Sequence, residues 1–471
     1  MRYVVTSLAA GLVLLAGGCP DRSVSPVEVV PEAVFIKNIP VSVNLDILFV
    51  IDNSASTRDK QTVFASNYPR FVEALDRFPT GRPNLHIGVV TSSVDIGVDG
   101  FGPQCHPAAG QNGALQSASR DRLFSCAPPT ADRFLSDVAN PDGSRKINYS
   151  GRLDEALSCI SHAGDAGCGF EAPLEAMKRA LDGSRPENAG FLRRGAFLAV
   201  VFLTDEDDCS ARQSLFEQPA ETVGKDDIRC ALAAYRCDQA LSSSAPGTYS
   251  DCHVRRDGFM TAPSDYAQFL LTLDGPSGVA AALIAGEPTN QLTTGTLTLT
   301  ADDGRTLFQE LAVEPTCSAT INGNPAVGRP PLRLDEMLGV LGDRGLFRTI
   351  CQADFSGALG DIGALLFKAT SPCLEGALDV RDTAPGNPGL QPDCTVSDLE
   401  HPDADPETET LIPPCPMIAA DHPELAGARA CWWVAPSPAC LTATQLELRI
   451  ERSAPAAPDT TVRVSCALAV P

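Results

Sequence analysis

Long apolar runs punctuate this chain, and each ends in a sudden change of character. Leu45-Asp46-Ile47-Leu48-Phe49-Val50-Ile51 gives way at once to Asp52-Asn53-Ser54-Ala55-Ser56. A run of this length and composition predicts a strand buried on both faces. Leu85 to Thr91 and Ala196 to Leu203 repeat the pattern, and Val279 to Ala285 and the shorter Leu346 to Ile350 are further strand candidates. Between these runs the period lengthens to that of a helix. Phe64, Tyr68, Phe71, Val72, Leu75 and Phe78 form one stripe, which Pro69 should kink or split. Arg152 to His162 reads as a helix. So does the run from Pro173 through Leu174, Met177, Ala180 and Leu181, with the proline suited to its first turn. Tyr266 to Leu273, Leu334 to Leu341 and Phe355 to Phe367 complete the helical set. Strands alternating with helices at this spacing predict an α/β fold, a doubly wound and mostly parallel sheet with helices on its faces.

Other stretches lack this alternation. Residues 95–147 and 209–262 hold Gly, Pro and paired cysteines and read as disulfide-pinned insertions, the first with a short edge strand near Phe134-Leu135. Asp303-Gly304, preceded by alternating Thr and Leu, signals a hairpin within Leu297 to Val313. From about Pro372 the composition shifts to Pro, Gly, Asp and Cys. Leu446, Leu448 and Ile450, then Val462, Val464, Cys466 and Leu468, alternate with polar or small residues, and Ser453 to Asp459 reads as their connection. These features predict a small β module in which at least one of Trp432 and Trp433 is core. The division expected is a leader over 1–19, a tether over 20–42, an α/β domain over 43–370 and a Cys/Pro-rich β module over 371–471.

Residues 1–19 carry Arg2, an apolar core from Val4 to Leu15, and Ala16-Gly17-Gly18-Cys19. This is the layout of an export signal. Its end resembles a bacterial lipobox, with the usual leucine one position early at Leu15. The resemblance implies cleavage before Cys19, lipidation of that residue, and attachment to a membrane of the cell envelope, with the outer membrane or cell surface favoured over the inner membrane. Pro20, Pro26, Pro31 and Pro40 suit an extended tether. The formal net charge of −23, from 59 acids against 36 bases, argues against nucleic acid or anionic lipid as a charge-driven partner. The acidic block from Asp398 to Glu409 reads as a solvated loop. Of 17 cysteines, 16 remain if Cys19 carries lipid. They are spread out, with no CxxC pair, so structural disulfides in an oxidising compartment are expected rather than a zinc ribbon or redox motif. Cys159 with Cys168 and Cys431 with Cys440 are the local pairings the spacing suggests.

The chemistry gathers where apolar runs end. Asp52, Ser54 and Ser56 fall just past the carboxyl end of the first strand, where ligands bind in open α/β sheets. A carboxylate and two hydroxyls are hard oxygen ligands, suited to Mg²⁺, Mn²⁺ or Ca²⁺. Asp205 ends a second buried strand in the same way. The DxSxS pattern, with an acid closing a second strand, resembles the metal-ion-dependent adhesion site of von Willebrand factor A domains. The chain also resembles A-domain lipoproteins of myxobacteria and related deltaproteobacteria. The resemblance spans roughly residues 43–370 and implies a Rossmann-like sheet, a bound divalent cation with Mg²⁺ favoured, and a protein ligand that completes its coordination. In that family a threonine from a second loop joins the site. Here the position that aligns is Glu171, which either ligates directly or turns away with water in its place. Asp59 resembles an adjacent regulatory metal position, and Asp207 and Asp208 read as solvated charges or outer-sphere acceptors.

The expected function is a binding module for adhesion or protein–protein interaction, not an enzyme. A structural envelope scaffold with a vestigial site is the alternative, and a metal-dependent hydrolase a further one. No HExxH, GxSxG or GxxxxGK[ST] motif occurs among the 471 residues, so a zinc hydrolase, a nucleophile-elbow hydrolase and a phosphate loop find no support.

Overall fold

The structure is a computed structural model. It describes residues 34–469 apart from 41–42, 79–80, 107–110, 141, 274–277, 301–306, 380–387, 401–407, 425–429, 439, 441, 443, 454–455 and 457–459. The leader, Cys19 and the Asp303-Gly304 turn lie outside the described residues.

Strand β1 (Val34–Pro40) stands apart from the sheet that follows. That sheet contains β2 (Asn44–Ile51), β3 (Asn84–Thr91), β4 (Leu135–Ala139), β5 (Arg145–Ile147), β6 (Phe197–Leu203), β7 (Gly278–Ala285) and β8 (Gly345–Thr349). Its order is β8-β7-β6-β2-β3-β4-β5. The first four pairings are parallel, and those of β3 with β4 and β4 with β5 are antiparallel.

Side chains of β2 alternate between two cores. Leu45, Ile47, Phe49 and Ile51 face α1 (Arg58–Ser66), α2 (Tyr68–Asp76), α3 (Leu153–Ser161) and a long helix late in the chain, Ser356–Thr370. Leu48 and Val50 face α4 (Pro173–Leu181), α5 (Pro263–Leu271) and α6 (Leu332–Leu341). Burying each such side chain is worth roughly 1.5–3 kcal/mol. Phe49 meets Phe64, Tyr68 and Phe71 edge-on at 5.7–6.1 Å. Pro69 splits the predicted helical stripe into α1 and α2 and lies in the first turn of α2, where its missing N–H costs nothing. Asp46, the one acid inside the run, is satisfied by Arg193, whose Nε and backbone N–H donate at 2.8 and 2.6 Å.

The fold class expected from the sequence is corrected. Among the described residues the chain forms seven sheets, six of them small and antiparallel, and the one larger sheet is itself mixed. This is a mixed α/β assembly rather than a doubly wound, mostly parallel fold with one added β module. Apolar periodicity reports strands that are buried on both faces. The hairpin expected within Leu297 to Val313 is present, Leu292–Thr300 pairing with Leu307–Val313. Apolar periodicity misses very short strands, such as Gly247–Tyr249, which joins Leu292–Thr294, and the hairpin of Cys317–Ile321 with Asn324–Gly328.

The C-terminal residues build two of the antiparallel sheets around a shared core that includes Leu374, Val396, Trp432, Val434, Leu448, Val462 and Val464. Trp432 is buried, while Trp433 is half-buried and donates its indole N–H to Asp421 at 3.0 Å. The two late alternating segments do not pair with each other. Leu446–Glu451 joins Cys431–Pro436, and Thr461–Ala467 lies between β1 and Cys394–Glu400. Residues 34–40 of the expected tether are therefore a strand of a sheet whose other members come from the far end of the chain. Lys37 on that strand donates to the carbonyls of Lys368 and Cys373, and burial holds its ammonium down to about 8.

Eight disulfides join Cys105–Cys168, Cys126–Cys159, Cys209–Cys230, Cys237–Cys252, Cys317–Cys351, Cys373–Cys440, Cys394–Cys466 and Cys415–Cys431. Both locally suggested pairings are wrong. Cys159 and Cys168 each bond back to the 95–147 insertion, and Cys431 and Cys440 bond to partners earlier in the C-terminal region. Among the described residues no helix is long and apolar enough to cross a membrane.

Candidate metal centre

Register decides what meets at the carboxyl edge of the large sheet. Ile51 lies opposite both Leu203 and Thr91. The residues that follow, Asp52, Thr204-Asp205 and Ser92-Ser93, are thus brought to one edge. The backbone locks them there: Asp52 N–H donates to Leu203 O at 2.9 Å, Ser92 N–H to Ile51 O at 3.1 Å and Thr204 N–H to Ile284 O at 3.1 Å.

The DxSxS turn is tied to the start of α1. Thr57 Oγ1 donates to the carbonyls of Asp52 and Ser54, and Gln61 Nε2 donates to Asp52 O at 2.7 Å and Gly164 O at 2.8 Å. Asp52 Oδ1 accepts Ser54 N–H at 2.8 Å, and Oδ2 accepts Thr204 Oγ1 at 2.8 Å. Ser54 Oγ lies 3.1 Å from Ser56 Oγ, which donates to Asp205 Oδ1 at 3.1 Å. Ser56 is exposed while Asp52, Ser54 and Asp205 are buried, so this row of oxygens reaches solvent at Ser56.

Glu171 arrives on a loop pressed onto the turn. Gly167 N–H donates to Asn53 O, and a Cβ at Gly167 would stand 2.6 Å from both Asn53 O and Oδ1. Ser93 Oγ bridges Asn53 Oδ1 and Cys168 N–H. Cys105–Cys168 fixes the loop from one side. From the other, Cys209 N–H bonds the Glu171 carbonyl.

Among the described residues no group of three or more His, Cys, Asp or Glu side chains is gathered closely enough to hold a metal ion by itself. The candidate ligand set therefore depends on its hydroxyls. Asp52, Glu171 and Asp205 are 1%, 3% and 2% exposed, and buried carboxylates are costly to ionise unless compensated. Burial first, then the nearby Asp205 and Glu206, push Asp52 up to about 7. Burial first, then Glu206, Asp52 and Asp205, push Glu171 well above the usual carboxylate range. Glu206 itself is paired with Arg329. All-oxygen donors beside buried carboxylates could hold a hard divalent cation, with Asp52, Ser54, Ser56 and Asp205 as the candidate ligands and Glu171 close enough to share its field.

Several residues of this centre were not read from the sequence. Lys60 is the most consequential: its ammonium donates to Asp205 Oδ2 at 2.6 Å and to Ser56 O at 3.1 Å, and its side chain is 2% exposed. The signal was its place one helical turn after Ser56, obscured because lysine is rarely fully buried. Thr204 beside Asp205 was the other legible clue. Asp59 instead accepts Asn324 Nδ2 at 2.9 Å and ties α1 to the 317–328 hairpin.

Asp207 and Asp208, expected as solvated charges, are structural. Asp207 accepts the Tyr235 hydroxyl and the backbone N–H groups of Arg333 and Leu334 at the start of α6. Burial raises it to about 6. Asp208 Oδ1 caps α4 through Leu174 N–H at 3.0 Å, while Oδ2 accepts Arg333 Nε and Nη2 at 3.1 and 3.0 Å. These two acids clamp the loop that carries Asp205 between the N-termini of α4 and α6.

No family model and no curated protein matches the chain. Solved structures give distant likenesses. The pilus adhesin SpaC of Lactobacillus rhamnosus GG, in its open conformation, superposes with a TM-score of 0.30 at 10% identity, covering 92% of this chain and 42% of that one. The pilus adhesin RrgA of Streptococcus pneumoniae superposes with a TM-score of 0.25 at 9% identity, covering 92% and 57%. This chain thus spans about half the length of those proteins or less, and likeness at this level assigns neither fold nor function.

Proposed function

We propose that this protein is a binding protein rather than an enzyme, a lipid-anchored envelope component whose carboxyl-edge site takes a divalent cation and offers it to an acidic group of a protein ligand. The observation that carries the reading is the row of oxygens from Ser54 through exposed Ser56 to Asp205, beside Asp52, whose carboxylate accepts Ser54 N–H, and near buried Glu171. A bound Mg²⁺ or Mn²⁺ would supply a Lewis-acidic position open to one further oxygen. The chain's own part is to hold the ligands still. Thr57 and Gln61 fix the turn, Thr204 orients Asp52, and Asp208 with Arg333 braces the loop of Asp205. The disulfide-rich build and the lipobox-like leader support an exported, surface-held protein, and the pattern of site residues supports kinship with the von Willebrand A adhesion site.

One observation favours a second reading, a structural envelope protein with a vestigial site. Lys60 already neutralises Asp205, so that acid has a counter-ion without metal. Titration calorimetry of the wild type with MgCl₂ and MnCl₂ separates the two. Binding that Asp52→Ala abolishes, together with cation-dependent thermal stabilisation, supports the first reading. No heat of binding with either salt overturns it.

A further inference from the structure

We infer that Lys60 sets the affinity of this site for divalent cations, as a built-in counter-ion with which an entering cation must compete. The inference rests on the cation-site reading above.

The geometry is specific. Lys60 and Ser56 are one helical turn apart, so the lysine stem lies back along α1 toward the DxSxS turn. Its ammonium reaches Asp205 Oδ2 at 2.6 Å and Ser56 O at 3.1 Å, with both side chains of the ion pair 2% exposed. Ser56 Oγ donates to the other oxygen, Asp205 Oδ1. Both oxygens of Asp205 are therefore engaged, one by a hydroxyl and the other by a cation. Ion pairs at a surface are screened and weak, whereas this one is dry. A metal drawing on Asp205 must share it with the ammonium, at the repulsion of two positive charges a few ångströms apart.

The ammonium also fixes the charge count. With a cation bound and all three carboxylates ionised, Asp52, Glu171 and Asp205 would bring three negative charges, and Lys60 would leave a sum of two, the amount one divalent cation neutralises. Without Lys60 the same oxygens form a more strongly attracting cage, and one that repels itself when empty. The native site is thus built to survive unloaded and to take its cation weakly and reversibly.

The test uses the full chain with its disulfides intact. Wild type and Lys60→Met are titrated with MgCl₂ and MnCl₂ by calorimetry, and each is melted in EDTA and in excess Mg²⁺. Lys60→Met is expected to bind at least tenfold more tightly, to melt below wild type in EDTA and to recover with Mg²⁺, while the difference between EDTA and Mg²⁺ is present but smaller for wild type. Lys60→Gln, which keeps a donor but no charge, is expected to behave in the same way and serves if the methionine variant does not fold. Cation binding by wild type with equal or weaker binding by the variants overturns the role of Lys60 and leaves the cation site standing. Binding by the variants alone upholds Lys60 and overturns cation binding by the native protein. No binding by any of the three overturns both.

Discussion

Replacing Arg333 with methionine tests how the loop of Asp205 is held. Arg333 is fully buried and paired with Asp208, which is fully buried too. Its Nε and Nη2 bond Asp208 Oδ2, and Nη2 also bonds Thr261 O at 2.7 Å. Removing one member of a buried pair costs about 3–5 kcal/mol, because the other charge is left uncompensated. Two features of this site reduce that figure. Asp208 would keep Leu174 N–H at 3.0 Å, Ser210 N–H at 3.1 Å and Ser210 Oγ at 2.5 Å. Arg333 Nη1 is buried without a partner, a penalty of about 1–3 kcal/mol that methionine removes. The net loss expected is about 2–3 kcal/mol. Adding Asp208→Asn discharges the stranded carboxylate and should return at least about 1 kcal/mol.

Guanidinium unfolding of the oxidised protein, followed by far-ultraviolet circular dichroism, reads the helices that the pair braces. Both tryptophans lie in the C-terminal sheets, so their fluorescence reports a different part of the chain. Where the two transitions separate, only the dichroism midpoint should move. A loss below about 1 kcal/mol for Arg333→Met, or a double variant less stable than the single, would refute the reasoning from buried charge.

Two further outcomes are expected. Buried Asp46 is raised to about 6, chiefly by burial, while its neighbour His86 is lowered to about 4 by burial and then by Arg193. The raised acid loses its contribution to stability as pH climbs from about 4 to 6, and the lowered base loses its contribution as pH falls from 6.5 to 4. Their slopes oppose. Relative to wild type, Asp46→Asn should therefore lose thermal stability on acidification across that window and His86→Gln should gain it, and slopes of the same sign for both variants in a series of melts would contradict this. Gly167→Ala places a methyl 2.6 Å from Asn53 O and Oδ1, so about 1–3 kcal/mol of stability should be lost and divalent affinity should fall with it, both read by melts with and without Mg²⁺; unchanged melts would show that the loop is free to shift away.

What the sequence disclosed follows burial. Leu45 to Ile51 and Ala196 to Leu203 announce themselves because both faces of a central strand must be apolar, and the acids that end them mark the sheet's carboxyl edge. Pro69 was legible because its ring imposes a local rule. Lys60 and Asp208 were not, since charged residues are read as solvated unless a partner is known, and their partners, Asp205 and Arg333, lie 145 and 125 residues further on. The disulfides were misread for a related reason: proximity in sequence suggested pairs that the fold does not bring together. Of the small sheets, the hairpin within Leu297 to Val313 and the two late strands were legible from their alternation, while the others escaped because their strands are very short or pair with segments far along the chain.

The pairing of β1 with Thr461–Ala467 has a consequence in time. Val34 faces Ala467, so roughly 430 residues must be delivered before the first strand meets its neighbour. At synthesis rates of about 5–20 residues per second, β1 waits about 20 to 90 seconds with both edges unpaired. Closure of this ring between the two ends of the described chain is therefore a late event. Until it occurs, a nascent molecule displays a strand that another copy's Thr461–Ala467 can capture, and the exchange of that segment between molecules becomes the characteristic way for this fold to go astray.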